Sequence, residues 1–218
     1  MVKVAVSGCV HGEIDKLYEC LENVENRQGV KADVLLCTGD FQAVRDEKDL
    51  RSLVCPAKYR QMGDFQEYFN GQKVAKVLTI IIGGNHESIR YMHQAPMGGW
   101  IAPNMYYMGR AGVIKYGSLR IAGISGIYNR HEFDEYLPKY AKTVSEFNSI
   151  YKIRRSDYSV LSQISTPDII LSHDWPQGIY NYGDTQTLLR KKRFLTDCVN
   201  DGTLGNPFHM ELMQKLRP

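Results

Sequence analysis

The stretch that most constrains the fold is residues 77–87, where an apolar run meets two glycines and then Asn-His-Glu. Residues 77–82 are rich in Val and Ile, and such a run predicts a buried strand. Gly83 and Gly84 end it, so Asn85 and His86 lie at a strand's carboxyl end, where α/β proteins place their sites. An Asn-His pair alone most often indicates a capped turn.

Three more apolar strands end in residues that can bind metal. These strands and the residues that follow them are 2–7 with Cys9 and His11, 33–37 with Asp40, and 167–171 with His173. Each residue also has a structural explanation, as a small buried side chain, a helix cap or a turn residue. Four such strand ends in one chain instead favour a shared divalent-metal site with nitrogen, oxygen and thiolate ligands.

The order of elements predicts an α/β fold with mixed sheets flanked by helices. A helix over 13–27 connects the first two strands, and such a strand–helix–strand unit begins a parallel sheet. Short strands at 105–107, 113–116 and 119–126 predict antiparallel pairing in the same sheet or in a second one. Helices are expected at 87–93, 146–163, 185–198 and 207–215, with a Gly/Pro-rich loop between 98 and 103.

Two polar, aromatic-rich segments interrupt this pattern. Residues 41–75 predict short helices and loops inserted over the strand ends, either as a packing element or as a substrate-contacting surface. Residues 127–148 predict a long loop, and long loops inside compact domains tend to be functional or disordered.

Composition excludes several classes of protein. With 43% hydrophobic and 23% charged residues, the 218-residue chain is globular and not disordered. No apolar stretch reaches the roughly 20 residues of a membrane span. The five cysteines form no CxxC pair, and residues 1–6 enter a strand directly, so we expect an intracellular protein with reduced thiols. The basic cluster 190–193 favours a solvated helix face over a nuclear-import signal.

The net charge of +3 permits a nucleic-acid partner without arguing for one.

The motif order Cys-x-His, Gly-Asp, Gly-Asn-His-Glu and a later single His resembles the calcineurin-like metallophosphoesterase superfamily. Most of its members have aspartate where this chain has Cys9. The cysteine variant resembles the branch of that superfamily that debranches RNA lariats. The stretches that carry this closer resemblance are 38–42 (Thr-Gly-Asp-Phe-Gln), 56–59 (Pro-Ala-Lys-Tyr), 83–87 (Gly-Gly-Asn-His-Glu), 123–128 (Gly-Ile-Ser-Gly-Ile-Tyr) and 171–176 (Leu-Ser-His-Asp-Trp-Pro).

The resemblance implies a role for each motif residue. Cys9 and His11 hold one metal, Asp40 bridges, and Asn85 and His173 hold the second; these residues are predicted metal ligands. His86 is the general acid that protonates the leaving ribose oxygen. Glu87 orients His86 or caps the next helix, with capping favoured.

The same resemblance implies a substrate and cofactors. The substrate and partner is branched (lariat) intron RNA, hydrolysed at its 2′–5′ phosphodiester, and residues of about 127–153 form a lariat recognition loop. Candidate substrate contacts are Tyr59, Tyr128 and Trp175, whose rings suit unstacked bases, and Arg154, which suits a phosphate or is a solvated surface residue. Two divalent ions are expected, and the Cys9 thiolate favours Fe(II), Zn(II) or Mn(II) over Mg(II).

A nuclear location is expected, with shuttling to the cytoplasm as an alternative. No membrane partner is expected, and protein partners stay open.

The chain departs from the superfamily at its end. The superfamily closes its site with Gly-His-x-His, whereas only His209 follows His173 here. We therefore expect residues 1–218 to form one metallophosphoesterase domain that is C-terminally incomplete, either as the N-terminal part of a catalytic domain or as a natural short form. Weakened metal affinity and lowered stability follow from the missing ligands.

Three functions stay open. The first is a lariat-debranching phosphodiesterase, and the second is a metallophosphoesterase that acts on another phosphoester. The third is a catalytically impaired binding module that keeps the fold.

Overall fold

The computed structural model describes residues 1–141, 143–164 and 166–218. Within these ranges the strands are β1 Val4–Ser7, β2 Val34–Cys37, β3 Leu78–Ile81, β4 Gly99–Ala102, β5 Met105–Tyr107, β6 Ala111–Tyr116, β7 Leu119–Ile124 and β8 Ile169–Ser172. The helices are α1 Ile14–Gln28, α2 Glu47–Arg51, α3 Phe65–Phe69, α4 Ile89–Met92, α5 Val144–Ile150, α6 Arg155–Ser162, α7 Thr185–Lys191, α8 Thr196–Asn200 and α9 Pro207–Leu216.

The first sheet aligns three strand ends that carry candidate ligands. Its order is β1-β2-β3-β5-β4, and only β4 is antiparallel to its neighbour. In the parallel register Ser7 lies beside Cys37, and Cys37 beside Ile81. The loops that follow β1, β2 and β3 therefore leave the sheet at the same edge.

A second, three-stranded sheet brings in the fourth strand end. Its order is β6-β7-β8, with β6 antiparallel and β8 parallel to β7. The inner faces of the two sheets share one core, in which Leu36 and Ile80 of the first sheet cluster with Ile121 and Leu171 of the second. Because the sheets pack face to face, the loop after β8 reaches the edge defined by the first sheet.

Helices cover the outer face of each sheet, so the molecule has four layers. On the first sheet, alternate residues such as Leu35 and Ile81 face α1 and the 41–75 segment, which adds Phe65 to that core. On the second sheet, Ala122 and Ile124 face α6 and α9. The alternation arises because successive side chains of a strand point to opposite faces.

The predicted fold class and most elements are confirmed. Mixed sheets flanked by helices are present, and the strand at 105–107 and the helix at 207–215 lie within a residue of their predicted bounds. The 41–75 segment contains short helices, as expected. No helix in the described ranges is long and apolar enough to cross a membrane.

Three expectations were wrong. The Gly/Pro-rich stretch 98–103 contains β4, because pairing with β5 across a tight turn at Asn104 overrides its loop-like composition. The helix expected over 146–163 is broken at 151–154, where the backbone of Tyr151 bonds Ile127 instead of continuing the helix. The helix expected over 185–198 is divided into α7, a 3-10 turn and α8.

The last histidine of the chain is buried in the outer core of the second sheet. His209 is 3% exposed, and its Nδ1 lies 2.5 Å from the hydroxyl of Tyr158. The Asn206 amide donates to that same hydroxyl oxygen, so the Tyr158 O–H is directed at a neutral imidazole. Burial lowers the pKa of His209 from 6.5 to about 4. This histidine packs in the outer core, where its side chain bonds Tyr158.

We expect the free energy of unfolding to fall as the pH drops from about 6.5 to about 4, the two pKa values of His209. The unfolded chain binds a proton on His209 near pH 6.5 and the folded chain only near pH 4, so acidification favours unfolding by up to about 3 kcal/mol. Urea unfolding at pH 7 and pH 4.5 measures the effect. The free energy of unfolding of His209→Gln should depend much less on pH than that of the wild type. The exposed His131→Gln is the control and should keep the pH dependence of the wild type; equal pH dependence in all three proteins would contradict the prediction.

Candidate metal centre and active-site cleft

Asp40 is the centre of the site. It lies in the loop after β2, is 3% exposed, and has a φ of 51°. Its Oδ1 accepts the backbone N–H of His86 at 2.8 Å, and its Oδ2 lies 2.9 Å from Nδ1 of the same histidine. Its Oδ1 is also 3.4 Å from Nε2 of His173. A left-handed backbone at a non-glycine residue costs energy and is concentrated at functional sites.

Cys9 and His11 approach Asp40 from the loop after β1. Each of the three residues offers a ligand atom, and these atoms all lie within 4.8 Å of one another. The His11 backbone is also left-handed, with φ at 51°, and its N–H donates to the Asp40 carbonyl. Its Nδ1 contacts the amide of Gln42 at 2.9 Å, which leaves Nε2 facing the Asp40 carboxylate at 3.9 Å.

Asn85 and His173 form the other half of the site. The Asn85 Oδ1 lies 3.2 Å from Nε2 of His173. On the opposite side of the ring, Nδ1 of His173 lies 2.7 Å from the Thr38 carbonyl, so Nδ1 carries the proton. Nε2 then presents its lone pair to the site, which is how ligating histidines are commonly oriented.

Glu87 has a different role from the expected helix cap. Its side chain is buried, and its carboxylate accepts the backbone N–H groups of Gly84, Phe41 and Gln42 at 3.0, 2.9 and 2.8 Å. Ser88, not Glu87, is the cap residue of α4. The prediction of capping was wrong: Glu87 joins the loop after β2 to the loop after β3.

Two glycines permit the close packing of these loops. A Cβ on Gly84 would overlap the carboxylate and the backbone nitrogen of Asp40. A Cβ on Gly39, whose φ is +106°, would overlap the imidazole of His173. Both strand-end loops therefore need a residue without a side chain beside their ligand.

The charges at the site polarise its groups. Burial opposes ionisation of Asp40, but the hydrogen bonds from His86 and the electrostatic interaction with the neighbouring His173 outweigh it and lower the pKa of Asp40. The bond to Asp40 raises the pKa of His86. Burial and the charge of Asp40 raise the pKa of Glu87 to about 7 and that of the Cys9 thiol above its usual range. A cation bound beside Asp40 would offset the carboxylate charge that raises the pKa values of Glu87 and Cys9.

The donor set fits divalent metal. Cys9, His11 and Asp40 would hold one ion, and Asp40, Asn85 and His173 a second, so that one carboxylate serves both positions. Thiolate, imidazole and carboxylate donors are those of zinc and iron sites. The structure brings all five predicted ligands around one edge of the sandwich.

A cleft of about 950 Å³ opens beside these residues. Two histidines of the site, His11 and His86, line it together with Tyr59 and Phe194. Both rings are exposed, Tyr59 by 61% and Phe194 by 75%. The 41–75 segment therefore has two roles. Phe65 packs on the sheet, and the residues that line the cleft are Cys55, Pro56, Tyr59 and Gln61.

The four predicted substrate contacts have different surroundings. Tyr59 lines the main cleft, and Trp175, 46% exposed, lines a separate one of about 380 Å³. The Tyr128 ring packs on Phe133 and Phe208 with centroids 5.5 and 5.8 Å apart, so it is a packing residue at the rim of the second core.

Arg154 does not face a phosphate. It is 2% exposed, and its guanidinium is 3.1 Å from the Glu132 carboxylate and 2.7 Å from the hydroxyl of Ser149. These bonds hold α5 against the preceding loop. The predicted phosphate contact is corrected to a structural ion pair, because the side chain points into the protein.

The two ends of the segment predicted as a recognition loop are hydrogen-bonded to each other. Ile127 donates to the Tyr151 carbonyl and accepts from Ile153, and a parallel bridge pairs Ile127 with Lys152. Residues 128–150 thus leave and re-enter the body at one place, and this excursion contains α5.

The sequence did not single out several residues of the site. Gln42 orients His11, with its own φ at 60°, and Phe194 reaches the cleft from the turn after α7. A single sequence does not show which non-glycine residues adopt a positive φ. Phe194 could have been noticed in the sequence, because this large apolar residue directly follows the four charges of the basic cluster 190–193.

The fold and site define a class of protein. A family model described as calcineurin-like phosphoesterase matches residues 2–197, and the chain belongs to that family. Members of this family use divalent metal ions.

Several curated relatives with similar sequences share one name. Proteins called lariat debranching enzyme are 51% identical to this chain in Danio rerio, 48% in Homo sapiens and 45% in Arabidopsis thaliana. Each match covers 100% of this chain, but 39%, 40% and 52% of those proteins. The chain therefore spans two fifths to about half the length of these relatives.

We expect Gly84→Ala to disable the centre while Gly8→Ala does not. The new methyl group at 84 displaces the Asp40 carboxylate, so Zn(II) uptake should fall at least about tenfold and stability by about 1–3 kcal/mol. A Cβ on Gly8 has no atom within 4 Å, although Gly8 lies beside Cys9. Isothermal titration with Zn(II) and urea unfolding measure both effects. If Gly84→Ala takes up as much Zn(II) as the wild type, the prediction is wrong, because the two loops can then separate without loss of metal binding.

Proposed function

We propose that this chain is the catalytic part of a metal-dependent phosphodiesterase that hydrolyses the 2′–5′ branch-point bond of intron lariat RNA, giving linear RNA for turnover. The observation that carries it is the cluster of Cys9, His11 and Asp40 beside His86 at one cleft. The name shared by the curated relatives supports the substrate. A nuclear location fits such a substrate.

The metals we propose are two divalent ions, Fe(II), Zn(II) or Mn(II). The Cys9 thiolate is a softer ligand than the carboxylates that Mg(II) prefers. When bound, the ions would offset the charge of the phosphodiester and activate water. Besides Asp40, the first metal position has the Cys9 thiolate, whereas the second has only the neutral ligands Asn85 and His173. We therefore expect the two positions to differ in metal affinity.

His86 is our candidate for the general acid. Its Nδ1 is engaged by Asp40, which holds the ring in one orientation, and its side chain lines the cleft. The other ring nitrogen, Nε2, can then deliver a proton to the ribose oxygen that leaves the branch. Neutralising that oxygen removes the charge that cleavage would otherwise place on it.

The cleft can hold the nucleotides at the branch. Tyr59 and Phe194 offer exposed rings to unstacked bases, as proteins that bind single-stranded RNA commonly do. The basic run 190–193, exposed throughout, precedes Phe194 and supplies cations near the same wall.

The substrate is tested with a branched RNA and a linear RNA of the same composition, each with the chain loaded with Mn(II) or Zn(II). We expect release of one arm from the branched RNA and no cleavage of the linear one. Equal cleavage of both would identify a phosphoesterase of another specificity. Stoichiometric metal without turnover of either would favour a binding module.

Replacing His86 with Ala should separate metal binding from catalysis. Since His86 is outside the donor set, we expect metal content near that of the wild type and a rate on branched RNA lower by about 10²–10⁴. Asp40→Asn is the comparison, and it should lose both metal and activity. Parallel loss of metal and activity in His86→Ala would mean that His86 supports the centre and is not its acid.

A further inference from the structure

Another cavity, separate from the clefts of Tyr59 and Trp175, is lined by basic residues. It has a volume of about 600 Å³ and lies between α2, α4 and the segment around 139–150. All charged side chains among its described lining residues are basic: Lys48, Arg51, Arg90 and Lys139. We call this cavity the basic groove.

Three of these cations are not neutralised. Within the described ranges, no ion pair includes Lys48, Arg51 or Lys139, and all three are exposed. Arg90 differs, because its guanidinium pairs with Asp49 at 2.7 Å and with Asp46 at 3.7 Å. A polyanion in the groove would therefore meet about three uncompensated positive charges.

Apolar and aromatic side chains line the same groove. The partly buried Phe147 lines the groove together with the buried Ile89 and Ile150, and the Tyr140 ring is 69% exposed. The Lys139 ammonium lies 5.5 Å from the centroid of the Tyr140 ring. Cations combined with an open ring are the features with which proteins hold single-stranded nucleic acid, since the cations meet phosphates and the ring stacks on a base.

The groove adjoins the catalytic loop. Ile89 begins α4 three residues after His86. Ile150 also lines the small buried cavity that contains Gly84 and Glu87. The His93 imidazole bonds the Lys139 carbonyl at 3.3 Å and ties the two walls together. The groove is therefore linked to the loop that carries His86 by sequence and by shared lining residues.

We propose that the basic groove binds a single-stranded arm of the RNA, so that the substrate is held at two places, the branch in the cleft and an arm in the groove. The proposal rests on the proposed function in taking RNA as the ligand. Single-stranded RNA fits better than an acidic peptide because the groove pairs its charges with an aromatic ring that a base can cover.

The test measures binding, so it does not depend on turnover. The probe is a fluorescein-labelled oligouridylate of ten nucleotides, titrated with the 218-residue chain and followed by anisotropy at several salt concentrations. We expect Lys48→Gln/Arg51→Gln to bind about fivefold more weakly at low salt. Loss of two phosphate contacts should also make the slope of log K against log salt shallower by about 1.4.

Matched variants separate the groove from general charge. Arg27→Gln/Lys115→Gln removes the same charge from exposed positions outside the groove, and it should bind as the wild type does. Tyr140→Ala should weaken binding at least about fivefold, whereas Tyr140→Phe keeps the ring and should not. Urea unfolding confirms that each variant is folded.

Several outcomes would overturn the proposal. These are oligouridylate binding that none of the groove variants changes, equal weakening by Arg27→Gln/Lys115→Gln, and displacement of the RNA by polyglutamate at similar concentration. Failure of the proposed function is seen separately, as a lack of branched-RNA cleavage by a chain that still binds oligouridylate through the groove.

Discussion

The buried carboxylate of Glu87 is the interaction on which the site depends. It accepts three backbone N–H groups from two different loops, Gly84 in its own loop and Phe41 and Gln42 in the loop after β2. Removing it would leave three buried donors without partners, each at a cost of about 1–3 kcal/mol. Because Asp40 directly precedes two of these donors, the carboxylate also determines where the central ligand lies.

Packing of the two sheets brings His173 to the candidate site, which the first sheet alone cannot do. The candidate ligands after β1, β2 and β3 share an edge because those strands are parallel and in register. His173 follows β8 in the second sheet, and it reaches Asp40 only because the sheets stack through a common core of residues such as Ile82 and Leu171. A cavity in that core would therefore be felt at the metal centre, since close-packed interiors transmit small displacements.

Under the proposed function, two surfaces near the candidate centre would share the binding of a branched polyanion. The cleft of Tyr59 and Phe194 is aromatic and close to His86, whereas the basic groove holds uncompensated cations beyond α4. A branched RNA has several strands at one point, so a protein that recognises it gains from two contact regions set apart. The ion pair between the buried Arg154 and the partly exposed Glu132 joins α5 to the loop that precedes it.

Strand-end ligands such as Cys9, Asp40 and His173 were predictable from the sequence because hydrophobic periodicity locates strands and parallel strands end together. The role of Glu87 and the inward direction of Arg154 were not predictable. Both depend on which backbone groups another loop leaves unpaired, and no local pattern records that. The break at 151–154 was missed for the same reason, since a long-range bond to Ile127 competes with helix formation. The sequence by itself determined the kinds of ligand and the layered α/β architecture, because these follow from residue chemistry and periodicity. Only the tertiary structure decided which polar side chains face the cleft and which serve as internal bonds, because burial and pairing are properties of the assembled chain.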